Sequence, residues 1–333
     1  MNHQERCLRV GAAAILCAIV FRLGLGGIFQ PIGEFLARPT ISSWLIYLET
    51  GRIVRFSTSS EEIPLFARES PTPVFEEVPE ETLPVFSAQD MGLVDVKYYC
   101  TKNPDLEALM ANPLDWNLLS EEPTVLILHT HGTESYTKSP GENYAESSAF
   151  RTLDEGYNMI SRGDYLAQAL ESAGIGVVHD RTMHDYPSYN AAYENSRAAA
   201  KKILKENPSI SLILDLHRDA ATDSNGKQIK YTLQTQVGVA AKMMFVVGTD
   251  AGGLSHNNWP ENMSLAVKLQ TLLERENPGI CRPISFRTQR FNQDLSPGAL
   301  LVEMGSAGNS RQEALVAAEL LAEAIITLSK GTE

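Results

Sequence analysis

From about Val96 onward, short apolar runs of strand length alternate with apolar stripes at helical spacing, and this alternation leaves the chain few folds to choose from. Continuous runs of four or five strand formers, expected at 125–128, 175–178, 212–216, 243–247 and 300–303, suit strands buried on both faces. Between them fall the stripes. Ile160, Gly163, Ala167 and Leu170 share one helical face and stop at Gly174; Ala192, Ser196, Ala200, Ile203 and Leu204 form another, stopped at Asn207-Pro208. Ala266, Leu269, Leu272 and Leu273 make a third, ended by "NPG", and Ser310 with Glu313 forms a capping box ahead of a last helix, 313–328. The expected class is α/β, a mostly parallel sheet flanked by helices on both faces. No repeat of solenoid period is present.

Three of the apolar runs end in polar residues. "TVLILHTHGTESY" (124–136) delivers His129, His131 and Glu134; "SLILDLHRDA" (211–220) delivers His217; "ALLVEMGSAGNS" (299–310) ends in Glu303 and a glycine-rich loop. In open α/β sheets, ligands and catalytic groups gather at the carboxyl ends of the strands. A catalytic zinc takes three ligands from His and carboxylate and keeps one position for water, whose proton a separate carboxylate then removes. If the first strand continues through them, His129 and His131 share a face and Thr130 points away, so one can bind metal while the other orients it or meets substrate. Each residue also has a plainer explanation. A lone histidine after a strand is usually half-buried and satisfied, Asp215, Arg218 and Asp219 could form a salt-bridged turn, and Glu303 could be a cap. Taken together at one edge they point to metal. His179, His184 and His256 read as structural, since no second ligand-type signal accompanies them.

Charge and composition narrow the partners. A net charge of −13 with no Lys/Arg cluster excludes nucleic acid as the expected partner. Four cysteines show no zinc-like spacing; Cys7 and Cys17 fall in the N-terminal apolar segment, so one Cys100–Cys281 bridge is the most the remainder could form. At the N-terminus Arg6 and Arg9 precede an apolar run that resumes after Arg22, giving residues 10–29 about the length that spans a bilayer. It reads as an uncleaved signal anchor, with a cleaved signal or a buried helix as alternatives. Residues 57–95 are acidic and carry Pro64, Pro71, Pro73, Pro79 and Pro84, a composition that cannot bury enough apolar area to fold. They read as an extended spacer, though the two "PVF" triplets could be docking motifs. The expected organisation is an anchor (1–30), a spacer (31–95) and a catalytic domain (96–333), placed outside the cytoplasm.

"LILHTHGTESY", "RTLDEGYNM" at Arg151, "LILDLHRDA" and "LLVEMGSAGNS", in that order, resemble the stage II sporulation protein P family of membrane-anchored cell-wall hydrolases, over roughly residues 120–330. The resemblance implies a zinc N-acetylmuramoyl-L-alanine amidase acting on peptidoglycan during forespore engulfment, with an endopeptidase activity on cross-link peptides credited to the family. It also implies membrane-anchored partners of the engulfment machinery, a second cell-wall hydrolase among them. Carried over residue by residue, His131 and His217 are implied as zinc ligands and Glu303 as the general acid/base. "HTHGTE" replaces the turn found in the wider amidases, leaving Glu134 as the preferred third ligand and Glu155 as the alternative. His129, Arg151 and Arg218 are assigned to substrate or to supporting the ligands. Two other readings remain open: a peptidase on the same metal centre, and a catalytically silent wall-binding scaffold.

Overall fold

A computed structural model describes residues 86–114 and 117–330. Its main sheet has seven strands: β1 (Val96–Tyr98), β2 (Ser120–Leu128), β3 (Ile175–His179), β4 (Leu212–Asp219), β7 (Met243–Val247), β8 (Ile284–Phe286) and β9 (Gly298–Ser306). They lie in the order β1-β8-β7-β9-β4-β2-β3, and a separate hairpin joins β5 (Thr232–Gln234) to β6 (Val239–Ala241). The helices are α1 (Leu106–Ala111), α2 (Ile160–Ser172), α3 (Ala192–Glu206), α4 (Trp259–Glu276) and α5 (Arg311–Lys330). β3, β2, β4 and β9 are mutually parallel, as are β7, β8 and β1; the one reversal lies between β7 and β9.

Pleating sends alternate residues to opposite faces. Leu126, Leu128, Ile213 and Ala299 pack against Ala200, Ile203 and Leu204 of α3. His129, one residue out of phase, meets α2 instead. That helix comes so close that a Cβ on Gly163 would collide with His179 Nε2 and lie 2.5 Å from His129 Nε2. α5 packs on α2 and on α4, so helices cover both faces, as expected. α2 stops where Gly174 takes φ +84°, a conformation open to glycine, and α3 stops at Asn207. α5 opens on the expected box: Ser310 N donates to Glu313 Oε2 (3.0 Å) and Glu313 N to Ser310 Oγ (3.3 Å).

All five expected strands exist, each as long as expected or longer. β1 and β8, three residues each, are additional: they carry too few residues to show a period. The anchor at 1–30, the first "PVF" triplet and most of the 31–95 spacer lie outside the described residues. Residues 86–95, expected to belong to the spacer, are instead folded. Ala88–Leu93 forms a 3-10 helix, Asp90 pairs with Arg275 at 2.8 Å, and Lys268 and Arg275 sit over the Phe86 ring at 5.5 and 5.4 Å. The second "PVF" triplet thus ends on α4 of its own domain. Among the described residues no helix is long and apolar enough to cross a membrane. Cys100 and Cys281 are both free thiols, so the one bridge the spacing allowed is not formed.

Candidate active site

Because β2, β4 and β9 are parallel neighbours, their carboxyl ends coincide. Asp215 pairs in register with Leu128, and His217 with Glu303. With Ile213 and Ala299 turned toward α3, the period of two puts Asp215, His217 and Glu303 on that same face. Just beyond the His217–Glu303 pair β9 carries one extra residue, since Asp219 faces Ser306. Gly305 sits there at φ +80°, where a Cβ would meet Ala241 Cβ at 2.7 Å, so the bulge requires glycine.

β2 ends at Leu128 and the chain turns, so His129 and His131 do not share a face. His129 goes to the α2 side, where its Nε2 lies 2.8 Å from His179 Nε2. Burial, and then the neighbouring His179, push its pKa down to about 3; burial holds His179 at about 4. Both rings are neutral at pH 7. Thr130 instead faces α3, donating through N and Oγ1 to the Asp215 carboxylate (2.8 and 2.6 Å). His131 joins His217, their rings perpendicular with centroids 5.4 Å apart. Tyr189 stacks flat on His131 at 4.5 Å and Tyr193 of α3 meets it edge-on at 5.7 Å. The turn is clamped onto β9: Tyr136 Oη donates to Met304 O (2.9 Å) and Thr137 N to Ala307 O (2.9 Å).

Glu134 enters from this turn. Its Oε2 accepts from Arg218 N (3.0 Å) and lies 3.7 Å from His217 Nδ1, while Oε1 accepts from Arg151 Nη2 (3.2 Å). Arg151 also donates to Asp185 Oδ2 (2.6 Å) and lies 4.8 Å over the Tyr189 ring, tying the 184–193 segment to the turn. Arg218 is buried, its Nε given to Ser135 O and its Nη2 to Phe150 O, so it braces the loops rather than offering a fork to a substrate carboxylate. Glu155 is at the surface, paired with Arg181, whereas Glu134 is buried beside His217. His184 is satisfied by Asp180 at 2.9 Å. His256 is buried with neither ring nitrogen hydrogen-bonded.

Electrostatics separate the three central groups. Burial would lower the pKa of His217, but Asp215, Glu134 and Glu303 around it win and raise it to about 9. Asp215 is correspondingly held down: burial would raise it, and His217 and the Thr130 hydrogen bonds outweigh that. Burial, with Glu134 and Asp219 nearby, lifts Glu303 to about 8, and its Oε2 is covered without a hydrogen bond. His131 is held near 4, by burial first and then by His217.

This donor set suits a divalent cation. Imidazole and carboxylate are zinc's ligands, and His131 Nδ1 and His217 Nε2 are both buried without a hydrogen bond, the latter 3.0 Å from Asp215 Oδ1 but off the N–H direction. The ring of carboxylates around His217 attracts positive charge, whether a proton or a cation. Among the described residues no three donors are drawn up at ligating geometry, Glu134 being turned to its arginines and His217 to Asp215.

The site therefore gathers His131, Glu134, His217 and Glu303, with Arg151 and Arg218 behind Glu134, and leaves His129 on the other face. Sequence reasoning missed Asp215, although the period of two in "LILDLH" places it on the face of His217. It also missed Asp185, Tyr189 and Tyr193, for which the sequence carries no signal.

The family model for stage II sporulation protein P (SpoIIP) matches residues 68–326. Stage II sporulation protein P of Bacillus subtilis (strain 168) is 32% identical over 218 residues, covering 61% of this chain and 50% of that protein, so the chain spans about half the length of that relative. Among solved structures, the N-acetylmuramoyl-L-alanine amidase from Clostridium difficile 630 is 18% identical with a TM-score of 0.35. The amidase Ami1 from Mycobacterium smegmatis is 13% identical with a TM-score of 0.37. Each match covers 62% of this chain and 96% of the other. Likeness at that level carries no inference about ligands or activity.

Proposed function

The chain belongs to the stage II sporulation protein P (SpoIIP) family, and from that premise we propose that it is a peptidoglycan hydrolase cutting the amide between N-acetylmuramic acid and L-alanine. The observation that carries this reading is the in-register pair His217 and Glu303, with His131 and Glu134 closing around it and three buried polar atoms left without hydrogen bonds. A silent scaffold would have no use for such groups, because each buried unpaired polar atom costs about 1–3 kcal/mol.

In this reading His131, His217 and Glu134 would hold zinc, which when bound supplies a Lewis acid for the scissile carbonyl and lowers the pKa of water toward neutrality. Asp215 raises the basicity of His217, and Arg151 and Arg218 fix the Glu134 carboxylate. Glu303 takes the proton of the attacking water and gives it to the leaving L-alanine nitrogen. A carboxyl lifted by burial toward the working pH exchanges protons in both directions. Tyr189 covers one face of His131 and keeps solvent from it.

The test is digestion of purified peptidoglycan by the full-length protein with zinc, followed by mass spectrometry of the products. Peptides beginning with a free L-alanine amine, together with intact glycan strands, are expected. New amines found only within stem or cross-link peptides would replace the amidase with an endopeptidase.

The same proposal places the chain in a membrane by residues 10–29, with its catalytic domain outside the cytoplasm and engulfment proteins as partners. Full-length protein should then stay with membranes and be reachable by protease from outside only. Recovery of an N-terminally shortened form from the medium would replace the anchor with a cleaved signal.

A further inference from the structure

Tyr193 belongs to two places at once. One edge of its ring meets His131, and the ring also walls a groove of about 550 Å³ that runs away from the site toward Leu254, Arg290 and Phe291. Its floor carries strained backbone: Phe291 and Asn292, neither a glycine, take φ of 50° and 58° in succession. The surroundings over-determine that geometry. Asn292 Nδ2 donates to Tyr193 O (2.8 Å) and Ser196 Oγ (3.2 Å), and the next side chain, Gln293, accepts from Gly248 N and donates to Val246 O (2.7 Å each). What the strain achieves is placement, setting the Phe291 ring 6.0 Å from Tyr193. Strained residues that the fold actively maintains cluster at ligand clamps.

The charges along the groove are unequal in quality. Arg197 takes both oxygens of Asp294 at 2.7 Å, and Arg290 reaches the same carboxylate only at 3.4 Å. Two guanidinium groups thus share one anion, both partly buried. Asp294 lies behind the lining; the carboxylate that lines the groove is Glu194, which is exposed, so water screens it far more than the half-covered Arg290. Arg290 Nη1 also donates to Ser255 O at 3.3 Å, and both its contacts are long, so an apolar, aromatic wall ending in this guanidinium suits an extended peptide carrying a carboxylate better than a neutral sugar.

Resting on the amidase reading above, we propose that this groove is the subsite for the acidic stem peptide: Tyr193, Leu254 and Phe291 take its apolar parts, and Arg290 takes a carboxylate beyond the scissile amide. It sets specificity, because an arginine–carboxylate pair in a partly dry groove distinguishes a free acid from its amide.

The test is calorimetric titration of the full-length protein with three probes: the tripeptide L-alanyl-γ-D-glutamyl-lysine, the same peptide with its carboxylates amidated, and a neutral N-acetylglucosamine oligosaccharide. The free acid should bind about tenfold or more tightly than the amide, the margin of a charge-assisted hydrogen bond. Arg290→Gln should erase that difference by weakening the acid alone. Leu254→Glu, on an exposed side chain where folding is not at risk, should weaken the acid more than the amide. Equal affinity for acid and amide, or oligosaccharide binding that Leu254→Glu disrupts while tripeptide binding is unaffected, would overturn the assignment. The tripeptide is a product rather than a substrate, so its binding is read independently of hydrolysis. Tripeptide binding without wall digestion would fail the amidase reading alone; digestion with a KM that Arg290→Gln leaves unchanged would fail the subsite alone.

Discussion

His217 and Glu303 face each other in register on adjacent parallel strands, β4 and β9, an imidazole raised to about 9 beside a carboxyl raised to about 8. Glu303 helps to raise His217, while burial raises Glu303 against the opposing pull of the His217 charge. Because neither reaches this position without the other strand, the pair belongs to the sheet rather than to either segment.

Glu303→Gln keeps size and shape and removes the proton acceptor. The variant should bind zinc and cell wall as the parent does and lose about 10²–10⁴-fold in wall hydrolysis. Near-normal turnover would transfer the role to Glu134.

His131→Ala and His217→Ala should each lose zinc, measured by elemental analysis of the purified full-length protein, and lose hydrolysis with it. Glu155→Gln should lose neither, since Glu155 pairs with Arg181 at the surface. Full zinc occupancy in both histidine variants would remove the ligand assignment.

Zinc uptake should release protons, because His217 is protonated in the metal-free chain at pH 7 and a ligating nitrogen cannot be. Calorimetry in two buffers of different ionisation enthalpy reads that number directly. Uptake with no proton release would show that His217 is not a ligand.

Gly163→Ala puts a methyl group against His129 Nε2 and His179 Nε2, and overpacking of this kind costs about 1–3 kcal/mol. Gly92→Ala, with open space around it, is the control and should change stability little. Urea unfolding of both variants makes the comparison.

His129 and His179 are held below an unfolded value near 6.5, so from about pH 6.5 down to about pH 4 for His179 and about pH 3 for His129 the unfolded chain binds more protons. Their contribution to stability is present above pH 6.5 and is lost as the pH falls through that window. Thermal melts at pH 7 and pH 5 should show a larger drop for the parent than for His179→Gln. An equal drop would mean the pair does not titrate there.

Much of the fold is legible because it follows from local rules. Apolar runs of four or five residues can only be buried strands between helical stripes, Gly174 and Asn207 end helices by their own conformational preferences, and the Ser310–Glu313 box is a contact across three residues. The polar strand ends were equally readable, since a sheet's carboxyl edge is a property of chain direction. β1 and β8 were not, because three residues show no period, and the reversal of β7 against β9 depends on where the chain returns.

Which polar residues meet was decided by tertiary structure. The sequence alone determined that His129, His131, His217 and Glu303 would arrive at strand ends, and left Glu134 as the preferred third ligand with Glu155 as the alternative in the same long loop. The loop's path separated them, because hydrogen bonds from Arg151 and from the Arg218 backbone hold Glu134 beside His217 while Arg181 draws Glu155 to solvent. The end of β2 at Leu128 likewise parted His129 from His131, and the packing of α3 against β4 brought Tyr193 between the site and the groove. Chain direction and side-chain period are written residue by residue; the choice among partners of equal chemistry depends on distance, and distance exists only once the chain has packed.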